Sequence, residues 1–285
     1  MSFKVVIPAR YGSSRLPAKP LRNIAGKPMI QHVWEKAVLS GAGEVVVATD
    51  HAAILEACEA FGARVMLTAE EHPSGTDRLH EVCESLEWPD ETIVVNLQGD
   101  EPLFPAELID VLAGNLASQP DCAIATFCQP IESWQQFLDP NVVKVVINQK
   151  EQAMYFSRAP IPWDRKNQLS VKVQDLEAKA TNYLLDYEVH FGKPRAAFRH
   201  IGIYAYRVST LNQYVAITTA EKNHEHGHSD FTYEDIERLE QLRALDHGMN
   251  IHCPVTDVSI PDGVDTEADL TQVIEAIERR QESNA

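Results

Sequence analysis

The sequence predicts an α/β fold whose sheet is mostly parallel and doubly wound. Three observations carry that expectation. Short apolar runs alternate with helical patterns from residue 3 to about residue 117, the order that right-handed crossovers between parallel strands require. The first run, residues 3–7, opens directly into a loop from Pro8 to Pro28 that holds Arg10, Arg15, Lys19, Arg22 and Lys27 and no acid. From Cys122 the texture changes to strand-like runs, which points to a second, mixed lobe.

The elements follow in order. Residues 3–7 are the first strand. After the basic loop the spacing predicts a helix over about 29–40, with Pro28 in its first turn and Gly41 at its stop. Residues 45–48 are the second strand, and Asp50 reads as the N-cap of a helix ending near Gly62. Residues 64–67 are the third strand, and Ser74 is in position to cap the next helix. A short apolar strand, 93–96, leads through Gln98-Gly99-Asp100-Glu101-Pro102 to a helix over about 105–117. Residues 122–127, 142–147 and 153–156 read as a meander, and 201–207 as a further strand. Residues 234–247 read as one helix, with Ile236, Leu239, Leu242 and Leu245 at helical spacing. A last strand, 250–255, precedes a helix through Ile277 that either Asp265 or Thr266 caps. Two stretches read as insertions: a polar one at 166–197, and an exposed loop at 220–230 carrying His224, His226 and His228.

Composition narrows the class. At 285 residues, the chain can bury a sizeable core in one large domain or two lobes. Its 25 basic and 42 acidic residues give a net charge of -17, which argues against nucleic acid or an anionic membrane as a general partner. The five cysteines are scattered with no Cys-x-x-Cys pair, so neither a disulfide framework nor a zinc site is expected. No apolar run approaches the ~20 residues a membrane span needs, and the N-terminus lacks a signal-peptide pattern. The expected location is the cytoplasm.

Against that charge, the basic loop marks a local anion site, because a loop after the first strand of an open α/β sheet is where phosphates bind. Amides around Gly12, Ser13 and Ser14 can cradle phosphate oxygens, while Arg15 and Lys19 neutralise a triphosphate. The loop matches neither Gly-x-x-x-x-Gly-Lys-Ser/Thr nor Gly-x-Gly-x-x-Gly. Asp100, just past a buried strand, reads as a Mg²⁺ carboxylate or as a capping residue in a turn. Asp265 is the second metal carboxylate or an N-cap; beside Asp100 and the basic loop, the metal reading is favoured. Arg158, followed by two prolines, is placed to fork onto a carboxylate, and His200 and Tyr204 flank a strand that lines a pocket or serve structural roles. Glu237 and Gln241, four apart on the expected helix, hydrogen-bond a polyhydroxylated ligand or face solvent.

Together these segments resemble the CMP-Kdo synthetases (3-deoxy-manno-octulosonate cytidylyltransferases). Ile-Pro-Ala-Arg-Tyr-Gly-Ser-Ser-Arg-Leu-Pro-Ala-Lys-Pro-Leu at 7–21 is similar to that family's CTP loop. Val-Ala-Thr-Asp at 47–50, Ser-Gly-Thr-Asp-Arg at 74–78 and Val-Asn-Leu-Gln-Gly-Asp-Glu-Pro at 95–102 follow in the family's order. So do Tyr-Phe-Ser-Arg-Ala-Pro-Ile-Pro-Trp-Asp-Arg at 155–165, Arg-His-Ile-Gly-Ile-Tyr-Ala-Tyr at 199–206, Leu-Glu-Gln-Leu-Arg at 239–243 and Gly-Val-Asp-Thr-Glu-Ala-Asp-Leu at 263–270. The chain departs from the pattern at 166–197 and 220–230.

The resemblance implies a Rossmann-like sheet of nucleotidyltransferase type with a smaller mixed lobe. Residues 1–120 with about 250–285 would form the nucleotide-binding core, and about 121–249 the sugar-binding and dimerisation lobe, within one continuous domain. The implied reaction is CTP plus Kdo giving CMP-Kdo and pyrophosphate, with Mg²⁺, for lipopolysaccharide synthesis. Arg10, Arg15 and Lys19 would hold the triphosphate, with Ala9 beside them. Ser74, Gly75 and Gln98 would lie near the nucleotide or the sugar, Asp100 and Asp265 would carry the metal, and Arg158, His200, Tyr204, Glu237 and Gln241 would face the Kdo. A homodimer is implied. An 8-amino-Kdo or another acidic sugar is the nearest alternative substrate, and a non-catalytic nucleotide sensor the alternative class.

Overall fold

The structure, a computed structural model, describes residues 2–13, 15–72, 74–163, 196–223 and 232–283. The first strand, β1 (Lys4–Ala9), has Val5, Val6 and Ile7 fully buried, because a parallel strand covered on both faces needs a continuous apolar run. The basic loop then makes one 3₁₀ turn, Lys19–Leu21, and a small hairpin of β2 (Asn23–Ile24) and β3 (Lys27–Pro28). Its two-residue turn has Ala25 at φ 48° and Gly26 at φ 88°, the left-handed pair that tight hairpins use. Then come α1 (Met29–Val38), β4 (Glu44–Thr49), α2 (Ala52–Ala60), β5 (Arg64–Leu67), α3 (Gly75–Ser85), β6 (Ile93–Asn96) and α4 (Ala106–Ser118). The later elements are β7 (Ile124–Pro130), α5 (Trp134–Leu138), β8 (Lys144–Ile147), β9 (Ala153–Ser157), β10 (Phe198–Arg207) and α6 (Val208–Asn223). The chain continues through α7 (Tyr233–Glu237), α8 (Gln241–Asp246), β11 (Ile251–His252) and α9 (Glu267–Ser283).

Two compact units emerge: 1–125, 202–226 and 258–285 in the first, and 126–201 and 227–257 in the second. Residues 202–226 therefore group with the first unit, although the sequence reading puts them in the second lobe. In the first unit β1 pairs in parallel with β4 on one side and β6 on the other, and β4 pairs in parallel with β5. Tyr204 to Arg207 of β10 run antiparallel to β6. The expected mostly parallel, doubly wound sheet is thus present. In the second unit β8 and β9 form an antiparallel hairpin, and β8 also pairs with Phe198 and Arg199 of β10. The expected meander is incomplete, since the neighbours of β7 are β11 and β10.

Three local expectations change, and one left open is resolved. His51, not Asp50, caps α2: its Nδ1 accepts from the Ala53 amide at 3.1 Å, which leaves Asp50 for tertiary contacts. The expected helix over 234–247 is two, because Arg238 turns left-handed at φ 54° and closes α7. Glu237 and Gln241 therefore do not share one helical face. The helix α6 runs on to Asn223, into the stretch read as a loop; residues 164–195 and 224–231 lie outside the described residues. Finally, Thr266 Oγ1 accepts from the Asp269 amide, and Asp269 Oδ2 accepts from the Thr266 amide. That reciprocal box caps α9, which continues past Ile277 to Ser283, and it frees the Asp265 carboxylate.

Candidate active site

The strand order of the first unit reverses at β1, between β4 and β6. Ligands of open α/β sheets bind at such a reversal, outside the carboxyl ends of the strands. A cavity of about 370 Å³ opens there. Ala9, Arg10, Arg15 and Lys19 line it from the loop after β1, and Gln98 and Asp100 from the loop after β6. Gly75, at the start of α3, and Asp265, just before α9, complete the wall, with Gly12 and Ser13 beside Arg15. Ser14 lies outside the described residues. Ser74 works as the cap of α3, accepting from the Asp77 amide at 3.2 Å.

Lys19 is the centre of the arrangement. Its Nζ donates to Asp100 Oδ2 at 2.6 Å, to the Val264 carbonyl at 2.6 Å and to Asp265 Oδ1 at 3.0 Å. Arg15 adds a second cation on the same Asp265 oxygen at 3.1 Å. Burial opposes the charge on Lys19, but the Asp100 and Asp265 carboxylates outweigh it and hold the ammonium above its ordinary pKa. Packing sets this geometry. Leu16, Ile24 and Met29 of the basic loop and α1 share one buried cluster with Val264, Leu270 and Val273, and the Val264 amide donates to the Asp100 carbonyl at 2.9 Å. The loop after β6 also lies against β1: a Cβ on Gly99 would stand 2.7 Å from the Pro8 carbonyl oxygen, so only glycine fits there.

The donor set defines the chemistry. Two carboxylates and a carbonyl are hard oxygen ligands of the kind Mg²⁺ takes. Among the described residues no three His, Cys, Asp or Glu side chains gather as a cation site. A cation held by Asp100 and Asp265 would therefore complete its shell with phosphate and water oxygens, which fits Mg²⁺ brought by a nucleotide. Arg10, in the cavity wall, donates to the His72 carbonyl at 2.8 Å. Gln98 Nε2 faces Asn96 Oδ1 at 3.5 Å.

One supporting pair escaped the sequence reading. Arg78, within the Ser-Gly-Thr-Asp-Arg segment, is fully buried, bonded to Thr68 Oγ1, and paired with Asp50 at 3.4 Å. Asp50 in turn accepts from the Tyr11 amide at 3.0 Å, so this buried cation steadies the basic loop through one carboxylate. The available signal was an arginine inside an otherwise core-facing helical pattern.

The residues expected to face a sugar divide between the units. In the first, Tyr204 is buried in β10 opposite Asn96. In the second, Glu237 accepts from the Ser157 hydroxyl at 2.5 Å and from the Arg158 amide at 2.9 Å. The Arg158 guanidinium donates to the carbonyls of Glu237 and Pro140 at 2.7 and 3.0 Å. His200 Nε2 meets Thr126 Oγ1 at 3.0 Å beside the Phe156 ring, and burial pushes its pKa down to about 3, so it is a neutral hydrogen-bonding group. Gln241 is buried at the start of α8.

Comparison with known proteins shows what the whole chain is similar to. A family model described as Cytidylyltransferase matches residues 4–251. The 3-deoxy-manno-octulosonate cytidylyltransferase of Hahella chejuensis is 48% identical over 272 residues, covering 95% of this chain and 96% of that one. The protein of the same name from Thioalkalivibrio sulfidiphilus is 49% identical over 273 residues, covering 96% and 98%. A solved structure of CMP:2-keto-3-deoxy-manno-octonic acid synthetase complexed with CTP superposes with a TM-score of 0.78 at 38% identity, covering 98% of this chain and 99% of that one.

Proposed function

The chain belongs to the cytidylyltransferase family, and from that premise we propose that it transfers the cytidylyl group of CTP to the anomeric hydroxyl of Kdo. The products are CMP-Kdo and pyrophosphate. The observation that carries this reading is Lys19 held between Asp100 and Asp265 in a cavity that Arg10 and Arg15 also line. Such a site offers cations to a triphosphate and carboxylates to its metal.

The sugar hydroxyl attacks the α-phosphorus in line, the bond to the pyrophosphate oxygen breaks, and the hydroxyl proton passes to solvent. The chain's share is positioning and charge screening. Arg15 and Lys19 neutralise the phosphates, Arg10 and Ala9 border the nucleotide, and Ser74, Gly75 and Gln98 border the nucleotide or the sugar. Asp100 and Asp265 would hold Mg²⁺. Bound there, Mg²⁺ would reduce phosphate charge and acidify a hydroxyl it contacts. Arg158, His200, Tyr204, Glu237 and Gln241 face the Kdo in this reading.

The protein works in the cytoplasm as a homodimer, supplying lipopolysaccharide synthesis, in the same reading. Among the described residues no helix is long and apolar enough to cross a membrane.

Pyrophosphate release from each of the four nucleoside triphosphates, with Kdo, 8-amino-Kdo or sialic acid as acceptor, tests the proposal. Release with CTP and Kdo is expected. Release with only a different acidic sugar would reassign the acceptor. No release from any pair, despite CTP binding, would make the protein a nucleotide sensor.

A further inference from the structure

The three acceptors around Lys19 Nζ are the Asp100, Val264 and Asp265 oxygens, at 2.6, 2.6 and 3.0 Å. These are hard ligands, and a divalent cation held by Asp100 and Asp265 needs the space the ammonium fills. Arg15 also bonds Asp265 Oδ1, at 3.1 Å. We propose that Lys19 is the site's own counter-ion in the nucleotide-free protein, keeping the divalent cation out until a nucleotide's phosphates draw the lysine away. This inference rests on the reading that Asp100 and Asp265 hold the metal of a nucleotide-bound state.

The physical case has three parts. First, Asp100 and Asp265 already carry two positive charges, from Lys19 and Arg15, so an arriving divalent ion meets like charge where it would bind. Second, a triphosphate is a stronger partner for an ammonium than two carboxylates, and moving Lys19 onto it uncovers Asp100 and leaves Asp265 with Arg15 alone. Third, only the side chain has to move. Pro20 and Leu16 on either side of Lys19 are buried, and Ala18 and the turn Lys19–Leu21 fix the backbone. Lysine's compact charge on a flexible four-carbon stem suits such a swing, whereas a forked guanidinium would resist it. Metal and nucleotide then bind with positive coupling, and that coupling is reciprocal.

Mn²⁺ binding to the full chain, followed by electron paramagnetic resonance with and without CTP and no acceptor sugar, tests the exchange. Lys19→Met and Lys19→Gln remove the charge at similar length, and thermal melting checks that each is folded. Asp100→Asn gives the baseline of metal carried by CTP alone. The wild type is expected to take up Mn²⁺ weakly until CTP is added. Both Lys19 variants should bind Mn²⁺ without CTP at least about tenfold more tightly than the wild type, the equivalent of about 1.4 kcal/mol, and gain less from CTP. Equal nucleotide-free affinities in variants and wild type would overturn the exchange, yet leave the metal reading standing if CTP still raises Mn²⁺ uptake above the Asp100→Asn baseline. Uptake that never exceeds that baseline would defeat the metal reading and the exchange together.

Discussion

Asp100 serves the pocket twice, its carboxylate gripping Lys19 and its carbonyl receiving the Val264 amide at 2.9 Å. Asn in its place keeps the shape and the backbone bond while removing the charge. Asp100→Asn should lower turnover by at least about 100-fold while circular dichroism and melting stay near wild type; turnover within about tenfold of wild type would remove Asp100 from the chemistry. Lys144 makes a different prediction. It is fully buried, donates to the Asp139 and Val142 carbonyls at 2.8 and 2.6 Å, and burial pushes its pKa from 10.5 down to about 8. Between those two values the folded protein has lost a proton that the unfolded chain still holds. Raising the pH through that window therefore favours folding at this site. Denaturant melts across the window should show a component of stability that rises with pH in the wild type and is missing in Lys144→Met. A wild-type profile with the same slope as the variant would mean that Lys144 titrates normally.

At the scale of elements, strand periodicity and the Ser74 cap of α3 were legible because both are local, whereas the cap of α2 fell to His51 instead of Asp50. The strands β1, β4, β5 and β6 and the helix begun by Ser74 stand where the sequence places them, within a residue or two, whereas the hairpin β2–β3 lies inside the stretch read as a loop. The break at Arg238 was not legible. Ile236, Leu239, Leu242 and Leu245 keep helical spacing straight through it, yet Ile236 is 69% exposed while Leu239 and Leu242 are buried. The chain turns there because the Glu237 carboxylate and the carbonyls of Glu237 and Arg238 all meet Arg158, a contact no spacing rule foresees. An L-residue in the left-handed region costs about 1 kcal/mol, so Arg238→Gly should raise stability by roughly 0.5–1 kcal/mol. A drop in the melting midpoint instead would show that the Arg238 side chain contributes more than its backbone strain costs.

For the whole molecule, the pocket depends on joining the two ends of the chain. Leu16 and Ile24 pack with Val264, Leu270 and Val273, and this cluster holds Lys19 against Asp265. Leu16→Ala should cost about 2–5 kcal/mol and also raise the KM for CTP, because Lys19 loses its fixed base. Lost stability with unchanged CTP kinetics would separate the cluster from the site. By itself the sequence determined the fold class, the acid-free loop after β1 and the family, because strand periodicity, charge pattern and contiguous motifs are properties of short segments. Only the tertiary structure decided that Asp50 steadies Tyr11 through Arg78, that Thr266 rather than Asp265 caps α9, and that Lys19 rests between two aspartates far apart in the chain. Those outcomes depend on which polar group finds which partner, and neighbours for a buried charge such as Arg78 come together only when the sheet is assembled.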